Sequence, residues 1–132
     1  MTVTIWHNPE CGTSRNTLTM IRATGVEPVV IDYQQDVPPA AELARVAAAV
    51  GGATALMRTK GTPAEALGLV GADDATILAA MAAHPILINR PVVIGPRGTV
   101  LARPSERVLA VLEVPLPTDF TKEDGEIVRR PA

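Results

Sequence analysis

A single cysteine, Cys11, sits in the run His7-Asn8-Pro9-Glu10-Cys11-Gly12-Thr13-Ser14-Arg15. The run reads as a turn followed by a helix, which places the thiol at a helix N-terminus. Unpaired amides there, with roughly half a positive charge from the macrodipole, stabilise an anion. In such a place a cysteine pKa falls from about 8.5 into the range ~3.5–7.5. At a pKa of ~6, about nine-tenths of the thiol is ionised at neutral pH, against a few per cent for a free cysteine. His7, four positions earlier, and Arg15, one turn later, could add positive potential. A lone cysteine is often a small buried hydrophobe, but a polar turn is an unusual place for one. The chemistry indicated is nucleophilic attack by a thiolate.

The same helix start is an oxyanion site. Gly12, Thr13 and Ser14 present backbone N–H groups with little bulk beside the sulfur. The spacing departs from a phosphatase-type loop, in which an arginine follows the cysteine after five residues. That position is Thr17. One thiol cannot form an internal disulfide, and with two histidines a zinc site built on cysteine pairs is excluded. No metal and no tightly bound cofactor is expected. Redox chemistry at Cys11 therefore needs a second thiol from another molecule.

Twelve basic against fourteen acidic residues give a net charge of −2. That balance excludes a generally basic nucleic-acid surface. Trp6, Tyr33 and Phe120, the only aromatic residues, are too few for base stacking. No uncharged apolar run reaches the ~18 residues of a membrane helix, and the first residues do not read as a leader. A cytoplasmic protein without membrane or nucleic-acid partners is expected. The 132 residues, 47% apolar and 20% charged, suit one domain with one core.

The elements that must hold Cys11 follow from pattern. Residues 2–6 read as a strand and residues 13–24 as a helix with Leu18 and Ile21 on one face. Val29-Val30-Ile31 reads as a buried strand, completing a β-α-β unit with parallel strands. Pro38-Pro39 opens an amphipathic helix carrying Leu43, Val46, Ala47 and Val50, which Gly51-Gly52 ends. Thr62-Pro63-Ala64-Glu65 has capping-box spacing and predicts a short helix to about Leu67. Asp73-Asp74 caps a helix with Ile77, Leu78 and Met81, which His84-Pro85 terminates. Strands at 92–94 and 99–101 flank the turn Gly95-Pro96-Arg97-Gly98. Pro104 and Glu106 start a last helix with Val108, Leu109, Val111 and Leu112, and a polar tail, surface-bound or mobile, is expected from about 113 to 132. The order β-α-β, helices, β-β-α is that of a single thioredoxin-like α/β domain with a helical insertion at about 38–84.

Arg58, Arg90 and Arg103 stand at structural transitions, where a guanidinium can reach into a cleft and present paired donors to a tetrahedral oxyanion. Position alone does not separate them from Arg22, Arg45, Arg97 or Arg107.

A resemblance does. The run from His7 to Leu18 is similar to the active-site signature of the glutaredoxin-linked arsenate reductases. The similarity continues through Leu56-Met57-Arg58, Leu67-Gly68-Leu69, His84-Pro85-Ile86-Leu87-Ile88-Asn89-Arg90-Pro91-Val92-Val93, Arg103-Pro104-Ser105-Glu106 and Phe120-Thr121-Lys122-Glu123-Asp124-Gly125. It implies a thioredoxin-like fold and reduction of arsenate to arsenite, with Cys11 as the catalytic cysteine and His7 favouring its thiolate. It puts the oxyanion-handling arginines at Arg58, Arg90 and Arg103, with Asn8, Arg15 and Pro91 in support. Arg90-Pro91 is expected to be a cis-proline junction beside the site. Glutathione is the implied co-substrate, and a glutaredoxin the implied partner that resolves the mixed disulfide. The alternatives are a thioredoxin-like redox or transcription-regulatory binding protein, a monothiol glutaredoxin-like protein sharing an iron–sulfur cluster, and an oxyanion-binding domain with an inert cysteine.

Overall fold

A computed structural model describes residues 2–131; Met1 and Ala132 lie outside the described residues. The chain divides into two units, one running up to Asp32 and resuming at Arg90, the other spanning Tyr33–Asn89. The second unit corresponds to the expected insertion but is wider than 38–84. Each unit buries apolar side chains.

In the first unit, β1 (Thr4–His7) leads through α1 (Gly12–Ala23) to β2 (Val29–Asp32). The strands pair in parallel with Thr4 opposite Val29, as a β-α-β crossover requires. β3 (Val92–Gly95) lies antiparallel to β1 on its other side and is joined to β4 (Gly98–Leu101) by a hairpin, giving the sheet order β2-β1-β3-β4. This α/β arrangement is thioredoxin-like. One strand expectation fails. Val29 and Val30 are 51% and 40% exposed, because β2 is the edge of the sheet rather than a covered central strand. An apolar run cannot by itself distinguish the two.

The core of this unit gathers Ile5, Met20, Ile21, Val93, Val108 and Phe120. Each such side chain contributes roughly 1.5–3 kcal/mol on leaving water. The last predicted helix is a 3-10 helix, Ser105–Val111, rather than an α-helix. Its buried residues, Ser105, Val108 and Val111, recur every third position, which suits three residues per turn. The expected polar tail is not a tail either. Leu116, Phe120 and Val128 enter the core, and β5 (Phe120–Thr121) pairs antiparallel with β6 (Ile127–Val128). Gly125, at φ 92°, supplies the positive backbone angle that closes this hairpin.

Gly95 marks the tightest packing. A Cβ there would stand 2.4 Å from the Val111 carbonyl oxygen, so the 3-10 helix rests directly on the hairpin backbone. Gly95→Ala must displace backbone, and we expect it to cost about 3 kcal/mol in urea unfolding. An unchanged midpoint would show that the helix is not seated there.

In the second unit, α2 (Ala40–Val50) buries Leu43, Val46 and Ala47 and ends at Gly51 with φ 110°. A four-residue helix, α3 (Ala53–Leu56), follows and had no sequence signal. The capping-box helix does not form. Ala64 N–H does bond to Thr62 Oγ1 (3.3 Å), but Thr62 N–H goes to the Thr59 carbonyl instead of to Glu65. Gly68, at φ 70°, ends the single turn closed by Leu67 N–H on the Pro63 carbonyl. α4 (Asp74–Ala83) is capped as predicted, with Asp73 accepting from Thr76 N–H at 2.8 Å. Ile77 and Met81 are buried and Leu78 is half-buried. A 3-10 turn, Pro85–Leu87, follows His84. Beyond it Ile88 bridges to Met57, with Arg58 N–H on the Leu87 carbonyl (2.8 Å) and Asn89 N–H on the Leu56 carbonyl (2.7 Å). Among the described residues no helix is long and apolar enough to cross a membrane.

Candidate active site

Cys11 is the N-cap of α1, with extended backbone (φ −101°, ψ 120°). Its carbonyl accepts the Arg15 N–H at 3.0 Å, the first bond of the helix. Its own N–H bonds to the Asn8 carbonyl (3.0 Å), while Asn8 Oδ1 accepts from Glu10 N–H (2.9 Å). Asn8 thus folds the turn around the cysteine with both its main chain and its side chain. The thiol is half-buried. Burial pushes its pKa up, but the Ser14 N–H, the Arg90 charge, the Arg103 side chain and the Thr13 N–H together outweigh it. The net direction is down, toward the thiolate.

Arg103 Nη1 lies 3.7 Å from Cys11 Sγ and also donates to the Arg90 carbonyl at 3.1 Å. Arg90 stands two residues before β3, and Arg103 two residues beyond the end of β4. The Arg90-Pro91 peptide is cis, as expected, and Arg103-Pro104 is cis as well. Ser105, just beyond, donates its hydroxyl to the Thr13 carbonyl (3.0 Å), linking the arginine segment to the first turn of α1. A cleft of about 430 Å³ opens at the sulfur, lined by Glu10, Cys11, Gly12, Thr13, Asn16, Arg90, Glu123 and Asp124. It has room for a tetrahedral oxyanion and for part of a second reactant.

His7 is placed differently from the expectation of a positive charge beside the thiol. It is buried, with Nδ1 2.6 Å from Ser14 Oγ, and that oxygen accepts the Asn8 N–H at 3.0 Å. Burial lowers the His7 pKa, with Asp32 opposing and Arg22 and Arg15 adding to the shift. Burial therefore works against the charged imidazole. With Ser14 Oγ already accepting from Asn8, its hydroxyl proton is available to Nδ1. His7 thus supports the loop through a hydrogen bond, in a setting that disfavours its charged form.

The ArsC family model matches residues 6–111, which take in the end of β1, all of α1, both cis prolines and the sulfur–arginine pair. The chain belongs to the ArsC family. A relative named arsenate reductase from Rhizobium meliloti (strain 1021) is 53% identical over 131 residues, covering 97% of this chain and 94% of the relative. Another of that name from Escherichia coli is 50% identical over 129 residues, covering 96% and 92%. The solved structure of arsenate reductase from Vibrio cholerae superposes with a TM-score of 0.80 at 39% identity, covering 85% of this chain and 98% of that one.

Within this ArsC-family chain, the first unit brings together Cys11, His7, Asn8, Gly12, Thr13, Ser14, Arg90, Pro91 and Arg103. Arg15 is also there, but its guanidinium is held by the Glu123 carboxylate (2.9–3.3 Å) and the Pro9 carbonyl (2.8 Å). Arg58 belongs to the second unit, half-buried, with Nε donating to the Lys60 carbonyl at 3.0 Å. Asn16, Ser105 and Glu123 escape sequence reasoning. The signals were the similarity of the run His7 to Leu18, of residues 120–125 and of Arg103-Pro104-Ser105-Glu106, which assigned no role to these side chains. Among the described residues no group of three or more His, Cys, Asp or Glu side chains is arranged to hold a metal ion.

Proposed function

We propose that this chain is an arsenate reductase acting through Cys11, with glutathione and a glutaredoxin supplying the electrons. The observation that carries the reading is the position of the sulfur, at the start of α1 and 3.7 Å from Arg103 Nη1. Arsenate sits at the Gly12-Thr13-Ser14 amides with Arg90 and Arg103 offsetting its charge. The resemblance adds Arg58 as a third guanidinium.

The Cys11 thiolate attacks arsenic, forming an S–As bond while an oxygen leaves as water or hydroxide. Arsenic is still pentavalent at this stage. Glutathione brings the second thiol. Two electrons pass to arsenic as Cys11 and glutathione become a mixed disulfide, and arsenite is released. A glutaredoxin thiolate then attacks the glutathione sulfur, and Cys11 leaves as the thiolate. Ser14 stands where a dithiol enzyme carries its second sulfur, so the chain cannot resolve the disulfide alone. The reading places the protein in the cytoplasm, where thiols are kept reduced.

The test is NADPH oxidation coupled to arsenate, glutathione, glutaredoxin and glutathione reductase. Omitting either arsenate or glutaredoxin should bring the rate to background. Full turnover with thioredoxin and no glutathione would overturn the electron route.

A further inference from the structure

Two neighbouring residues of the C-terminal hairpin reach both halves of the site. Lys122 is buried, yet its ammonium contacts the carboxylates of Glu106 (2.9 Å) and Glu126 (2.7 Å). Glu106 follows Arg103-Pro104-Ser105 directly, in the first turn of the 3-10 helix. Glu123 points to the other partner. Its carboxylate accepts from Arg15 Nε and Nη2 at 2.9–3.3 Å, and its own N–H bonds to Asn16 Oδ1 at 3.0 Å. Arg15 in turn holds the Pro9 carbonyl, two residues before Cys11. Lys122 and Glu123 are the first two residues of the turn closed by Gly125 N–H on the Lys122 carbonyl (2.9 Å), so one short turn serves both elements.

We infer that Lys122 and Glu123 are positioning residues that hold the Arg103 segment and the Cys11 helix in register, fixing the guanidinium against the sulfur. Stability alone does not account for either pair. An exposed pair such as Arg15–Glu123 contributes little, and a buried ion pair is often replaceable by apolar side chains without loss. What both pairs do supply is direction. The carboxylate of Glu106 is held ionised by Lys122, and Lys122 keeps its charge despite burial. The turn also forms a wall of the cleft, since Glu123 and Asp124 line it together with Cys11.

The test uses the one thiol of the chain. Its alkylation rate by iodoacetamide as a function of pH reports the Cys11 pKa with no arsenate present, so it remains valid whether or not the proposed function holds. Glu123→Gln removes a negative charge from the cleft, which by itself would pull the Cys11 pKa down. Lost positioning instead raises it by about half a unit, and arsenate kcat/KM falls roughly tenfold. Lys122→Met should raise the pKa similarly, and should add nothing in an Arg103→Ala background if it acts through that guanidinium. A Cys11 pKa that is unchanged or lower in folded Glu123→Gln overturns the role of Glu123. A Lys122→Met shift that persists without Arg103 overturns that of Lys122. Should Lys122→Met fail to fold, the exposed Glu123→Gln variant decides the inference alone.

Discussion

Replacing Cys11 by serine should bring arsenate turnover to background, a loss of about a thousandfold or more in kcat. The helix start and two arginines lower the thiol's pKa toward the thiolate, whereas a hydroxyl starts too high for the same field to matter. Serine also cannot enter a mixed disulfide, so the proposed electron route would lose its first carrier. The wild-type rate should rise with pH and level off below the free-thiol range, because the Cys11 pKa is depressed. The same depression links to folding. The thiolate contributes stability above the unfolded thiol pKa, and this is lost as pH falls through the folded one. Cys11→Ser should therefore flatten that part of the stability–pH curve in urea titrations. Substantial turnover by the serine variant would remove Cys11 from the chemistry.

The cysteine could be read from sequence because everything that activates its backbone environment is local. Asn8, Gly12, Thr13 and Ser14 lie within three residues of it, and the turn-to-helix switch is a short-range event. Arg103 lies 92 residues away along the chain, and only the β3–β4 hairpin brings it to the sulfur. No periodicity could have selected it over Arg97 or Arg107. The resemblance made that selection. Glu123 is further still, 108 residues from Arg15, and its contact depends on a hairpin that the polar composition after Glu113 concealed.

The fold errors have the same origin. The apolar run at β2 marks a strand but not its place at the sheet edge, where Val29 and Val30 face outward. The apolar positions after Pro104 fit helical spacing in general, and only the burial of Ser105, Val108 and Val111, at intervals of three, marks a 3-10 helix rather than an α-helix. Thr62-Pro63-Ala64-Glu65 carries a start signal, but Gly68 stops the chain after one turn. Local signals nucleate elements; packing decides whether they extend. His7 shows the same limit in electrostatics. From spacing alone it reads as a source of positive potential near a thiol, whereas burial works against its charge and Nδ1 meets Ser14 Oγ.

Arg103→Ala should lower arsenate kcat/KM by about a hundredfold, the scale of removing one donor from a preorganised oxyanion site. The Cys11 pKa should rise at the same time, since Arg103 is the guanidinium with a direct contact to the sulfur. Arg90→Ala should raise it as well, through the loss of charge rather than of a hydrogen bond. Lysine substitutions separate the two roles. Arg103 Nη1 spans the Cys11 sulfur and the Arg90 carbonyl, and an ammonium on a flexible stem does not reproduce a planar fork. Arg103→Lys should therefore stay close to the alanine variant in kcat/KM, while Arg90→Lys should keep a Cys11 pKa near that of wild type. Steady-state kinetics and thiol alkylation on the four variants check this. Equal rescue by lysine at both positions would mean that charge alone serves the site, and that the 3.7 Å contact to the sulfur has no separate part in catalysis.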